Sequence, residues 1–245
     1  MIKKILTSIK NNTKIKKYLE GATIIANVYE NKTIYDVMIL LRDDIFINQF
    51  SPIYGLNFVI DKHTDRHDIF IRFKNQSWLI EDLSKRLPIA LWIWKNSIIL
   101  QEKEQNITSL INRYEKKFES LVIEIARQKY LELRSERHNL RFSLKKNDFI
   151  ASNIIKSTIV KLSLELCLLS EKKPYPFKIL LPRIAVEQSE YGKEILKTCI
   201  DFLNSTNPNE SIYLSDLLIK NLIDMLTKKL DLQNDFLQKW WLHLT

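Results

Sequence analysis

The period of the apolar positions changes along this chain. Over residues 3–20, Ile5, Ile9, Ile15 and Leu19 recur near one face of a helix. Residues 22–29 and 35–41 are short runs rich in Val, Ile and Tyr on either side of the polar turn Glu30-Asn31-Lys32, which predicts two strands joined by a turn. Two further strand-like runs stand at 55–60 and 68–73, separated by a charged loop. A helical segment from Trp78, an arginine at 86 and an aromatic-rich stretch ending in Ile98-Ile99-Leu100 follow. Beyond residue 106 only helical spacing remains. Residues 107–138 place Leu110, Tyr114, Phe118, Leu121, Ile125 and Leu133 broadly on one side, and 148–170, 187–203 and 214–242 read as further helices. Pro174, Pro176 and Pro182 break the pattern after the second of these, and 204–209 is turn-rich. The expected architecture is α+β: a mixed sheet with flanking helices over residues 1–104, then an up-and-down helical bundle over 105–245.

Composition narrows the chemistry. Glycine occurs only at 21, 55 and 192, too few for a glycine-rich phosphate loop. The histidines at 63, 67, 138 and 243 make no zinc pattern, and no Ser- or Cys-nucleophile motif is present. Arg134, Arg137 and His138 read as a charged helix end. The two cysteines lack metal-ligand spacing, and Cys167 sits in an apolar run where a buried thiol is expected. With no signal-peptide pattern and no apolar run of bilayer length, the expectation is a soluble protein of the reducing cytoplasm. The formal net charge of +9 is concentrated in the first 20 residues and in 137–183. In a chain this rich in Lys, Asn and Ile, solvated lysine faces are the first reading, ahead of dedicated nucleic-acid binding.

The most informative stretch is Gly21-Ala22 followed, a dozen residues later, by Thr33-Ile34-Tyr35-Asp36-Val37-Met38-Ile39-Leu40. Residues two apart on a strand share a face, so 34 and 36 point the same way. This order resembles the nucleotidyltransferase superfamily, whose Gly-Ser pair precedes a Ser-Asp-x-Asp-Leu strand carrying two metal-binding carboxylates. Gly21 matches the Gly, Ala22 replaces the Ser, Thr33 stands at the next Ser, Ile34 replaces the first Asp, and Asp36 keeps the second. The third family carboxylate comes from a later strand, for which Asp68 is the match; a partner role towards Arg66 or Arg72 is the other reading of that residue.

The second half carries the rest of the likeness. Asn147-Asp148, a long apolar helix and then Pro174-Tyr175-Pro176-Phe177-Lys178 are similar to the helical domain of kanamycin-type nucleotidyltransferases. The resemblance implies an enzyme moving a nucleoside monophosphate from a nucleoside triphosphate to a small hydroxylated acceptor. Asp36 and Asp68 would hold Mg²⁺, Gly21, Thr33 and Lys178 would bind the nucleotide, and Asp148 and Tyr175 would line the acceptor site. An ordinary solvated lysine in a proline-rich connection is the other reading of Lys178. Ile34 and Ala22 point to impaired or lost two-metal activity, so the alternative is a non-catalytic descendant acting as a binding or partner subunit, through a protein partner or a second copy.

Overall fold

A computed structural model describes residues 2–11, 16–28, 34–50, 57–60, 68–102 and 106–243. The first compact unit, Met1–Lys116, is built on a five-stranded mixed sheet. Its strands are β1 (Thr23–Val28), β2 (Ile34–Leu41), β3 (Asn57–Ile60), β4 (Asp68–Asn75) and β5 (Ile98–Gln101), in the order β3-β4-β2-β1-β5. β1 and β2 form the expected antiparallel pair, β2 and β4 run parallel, and β3 and β5 close the two edges antiparallel. The turn at 30–32 lies outside the described residues.

Alternation along the strands divides the sheet into two chemically different faces. Ile24, Ala26, Val37, Ile39, Leu41, Ile71 and Phe73 form one buried apolar layer with Ile9 of α1 (Ile2–Asn11), Leu19 and Ala22. Ile45 and Phe46 of α2 (Asp43–Phe50), a helix the sequence pattern did not suggest, pack against it. The helix expected over 3–20 is shorter: α1 ends at Asn11 and a separate 3₁₀ turn covers Lys16–Tyr18. On the opposite face lie Thr23, Ile25 and Asn27 of β1 and Asp36, Met38 and Leu40 of β2, all buried, beside the half-buried Arg72 and Lys74 of β4.

After β4, Asn75 caps α3 (Gln76–Lys85) by accepting from the Trp78 amide at 3.2 Å. Pro88 opens α4 (Leu87–Lys95), where its missing N–H is harmless. Asp82, buried, accepts from Arg86 Nε at 2.7 Å and from the Trp94 indole at 3.2 Å, which ties the two helices together. Trp94 is buried and meets the half-buried Trp78 edge-on at 6.2 Å.

The long helix α5 (Ile107–Lys145) crosses the boundary between the units, which falls at Lys116/Lys117 and not at 104/105. Its first turns belong to the sheet unit because Tyr114, buried, meets the Ser84 hydroxyl at 2.7 Å and Glu115 pairs with Lys95. The second unit, Lys117–Thr245, contains the rest of α5 with α6 (Phe149–Ser170), α7 (Leu181–Gln188), α8 (Gly192–Asn204), α9 (Pro208–Leu230) and α10 (Asn234–Gln238), then a 3₁₀ turn over Trp240–His243. The single helix expected over 187–203 is two, α7 and α8, and that over 214–242 begins earlier and breaks at Asp231, which takes a left-handed φ of 52°. Cys167 and Cys199 are both fully buried free thiols, and burial pushes Cys199 up to about 12.

Candidate functional site

Asp36 stands on β2, the middle strand of the sheet. It is buried, and its carboxylate is forked by Arg72: Nε donates to Oδ1 at 3.0 Å and Nη2 to Oδ2. The parallel register explains the pairing. Position 36 lies opposite 70 and position 38 opposite 72, so the guanidinium reaches one step diagonally across two adjacent strands on the same face. Position 68 stands opposite 34 and therefore on the face of position 36. Asp68 thus opens β4 at the register position of Ile34, while Arg72 pairs with Asp36. Thr33 lies outside the described residues.

The surroundings of Asp36 are cationic. Lys74, two residues beyond Arg72 on the same strand, has its ammonium 5.0 Å from the Trp78 ring centroid. Burial, and then the neighbouring Arg72 charge, lower its pKa. Among the described residues no group of three or more His, Cys, Asp or Glu side chains could hold a metal ion. Mg²⁺ needs a near-octahedral set of oxygens, yet here both Asp36 oxygens face one guanidinium and the position beside 68 carries Ile34. Asp36, held this way, directs both its oxygens to Arg72 and not to an ion.

Gly21 does not join this site. It adopts φ 75° in the turn that leads into β1 and opens no helix. Asp36 pairs in register with Asn27, six residues further on, which puts Gly21 about 20 Å away along the hairpin. The resemblance matched its spacing in sequence, but the hairpin carries it to the other end of the strand pair.

The predicted residues of the helical unit also separate. Asp148 is exposed and caps α6, accepting from the Ala151 amide at 2.9 Å. Tyr175 follows the other end of that 22-residue helix, roughly 33 Å along its axis. Tyr175 is buried, and burial together with Glu165 and Glu132 raises its phenol pKa. Lys178 is exposed in the turn before α7. Asp148 and Tyr175 therefore cannot line one acceptor pocket, and each has a structural task where it stands.

Sequence reasoning missed other ionic groups. Glu165, 2% exposed, lies 3.1 Å from Lys129 and 3.4 Å from Lys161 inside the helical unit. A carboxylate between two leucines of a buried helix was its only signal in the sequence. Lys156, also buried, donates to the Ser205 carbonyl at 2.6 Å and to its hydroxyl at 3.0 Å.

No known protein family and no curated protein matches the chain. Among solved structures, a nucleotidyltransferase-like protein from Exiguobacterium sibiricum 255-15 is similar, with a TM-score of 0.50 over 92% of this chain and 78% of that one. The chain shares its fold with that protein. At 11% identity the likeness is one of fold, and the chemistry has to be argued from Asp36 and its neighbours. No helix among the described residues is long and apolar enough to cross a membrane.

Proposed function

We propose that this protein keeps a nucleotidyltransferase-like fold without its two-metal chemistry and acts by binding rather than by turnover, as a partner or sensing subunit. The observation that carries this reading is the Arg72 fork on Asp36. A guanidinium supplies the counter-charge that a divalent cation gives an active nucleotidyltransferase, and it does so permanently, because arginine does not deprotonate in proteins. Ile34, on the same face, offers no oxygen. The register that sets Asp68 beside position 34 supports the alternative, an enzyme using Mg²⁺ and a nucleoside triphosphate with a small hydroxylated acceptor.

One pair of measurements separates the two. In thermal melts with each of the four nucleoside triphosphates, adding Mg²⁺ should move the midpoint by less than about 1 °C beyond the triphosphate alone. A rise of several degrees that needs Mg²⁺ and disappears in Asp36→Asn would overturn the proposal. In a double-mutant cycle, Asp36→Asn and Arg72→Met should show a coupling of about 1–2 kcal/mol, as expected of a half-buried, two-pronged ion pair. Coupling near zero would mean that the fork contributes nothing to the folded protein.

A further inference from the structure

The helical unit contains a groove that none of the residues discussed above explains. It has a volume of about 440 Å³ and is lined by Ser135, His138 and Asn139 of α5 and by Trp240 and Trp241 of the final 3₁₀ turn. That volume is within the range of small-ligand sites, about 300–1,000 Å³. We propose that this groove binds a nucleobase carrying phosphate, with the ring against the indoles and the anion on the lysines that end α5.

The helix supplies one wall with an ordered sequence of chemistry. Positions 135, 138 and 139 are one turn apart and share a face. They present a hydroxyl, an imidazole and an amide. An amide offers both a donor and an acceptor, which matches the mixed edge of a base.

The facing wall is aromatic. The two indoles meet at 85° with centroids 6.4 Å apart, so they form a corner rather than a stack. The Arg134 guanidinium lies 5.4 Å from the Trp240 centroid and donates to the Leu237 carbonyl at 3.2 Å, which fixes that side of the corner. Trp241 is 55% exposed. Aromatic surface of this size is usually covered in a protein, and stacking of a base is one way to cover it without displacing the helix.

Charge selects an anionic ligand. Lys145, the last residue of α5, follows His138 by seven residues, about 10 Å along the helix and within about 20° of the same face. Lys146 comes next, just past the helix end, and both are exposed. Among the described residues no carboxylate is paired with either lysine. A base held at Asn139 would therefore have its phosphate side towards two free cations. The groove lies wholly in the second unit, so this inference does not rest on the reading of Asp36.

The test is a titration of the full-length protein followed by tryptophan fluorescence, with adenosine and uridine monophosphates in one arm and ten-nucleotide oligo(U) and oligo(A) in the other. Quenching that saturates below 1 mM in either arm is expected. Tight binding of the strand alone, weakening steeply with salt, would identify single-stranded nucleic acid as the source of the base; equal binding of the monophosphates would identify free nucleotide. Trp241→Ala should weaken binding about ten-fold or more, read by a fluorescently labelled ligand, while leaving the melting midpoint within about 2 °C because the ring is exposed. Asn139→Ala should weaken it less and change the ratio between adenine and uracil. Absence of saturable binding in both arms would overturn the proposal, as would full affinity in a folded Trp241→Ala variant.

Discussion

Single residues in this chain show how far a pattern in sequence reaches. Asp36 was legible as a strand carboxylate because its position is local: alternating apolar neighbours put it on a defined face. Its partner was not legible, since the Asp36–Arg72 fork depends on the register of two strands separated by a helix and a further strand. Lys156 illustrates the same limit. Its sequence neighbours make it one more lysine on a helix, yet it is buried against Ser205, whose hydroxyl also meets Ser211 at 2.8 Å. Desolvation lowers its pKa, with Glu210 acting weakly in the other direction. The folded value therefore lies below the free lysine value of 10.5, and the unfolded chain binds more protons between the two. Stability should rise with pH through that window and be free of this contribution below it. Lys156→Met should abolish that rise in urea titrations from pH 8 to 10.5 while leaving stability at pH 7 within about 1 kcal/mol. A variant that retains the wild-type slope would show that Lys156 is not its source.

Elements were legible where periodicity is long and lost where a break depends on close packing. The strands β1, β2 and β4, and the long helices α5 and α6, all stand where alternation or helical spacing put them. Helix α2 was missed because only eight residues follow the β2 strand, with a weak apolar pattern. The break between α7 and α8 was missed for a different reason. The chain turns at residues 189–191 so that Gly192 can approach the preceding helix, and nothing in the local period announces this. A Cβ at 192 would fall on the Ala185 carbonyl oxygen and lie 2.5 Å from its carbon. Backbone cannot move aside as a side chain can. Gly192→Ala should therefore destabilise the protein by about 2–3 kcal/mol, lowering the melting midpoint by roughly 5–10 °C. A midpoint shift under 1 °C would show that α7 and α8 can separate freely.

At the scale of the whole molecule the α+β organisation was readable from the change of period, but the division between the units was placed twelve residues early. The change of period marks where the last strand ends. Compactness is decided by what the first turns of α5 touch, and Ile107, Leu110, Ile111 and Tyr114 are all buried. Tyr114→Ala removes a buried ring and its contact with Ser84 and should cost about 3–4 kcal/mol. In hydrogen exchange the loss of protection should fall on α3 and α4, leaving α6 to α9 unchanged. Loss of protection spread over α6 to α9 instead would return these turns to the helical unit.

The Arg72 fork also bears on which substitutions this chain can accept. Removing Arg72 alone leaves the Asp36 charge buried without a partner, which is the damaging half of breaking an ion pair. Changing Ile34 to aspartate alone adds a second carboxylate to a face whose arginine is already engaged. Either single step weakens the folded protein before any metal chemistry could repay it. Two-metal chemistry on this face would need both changes together, so the pair that fills the face also sets the number of steps to it.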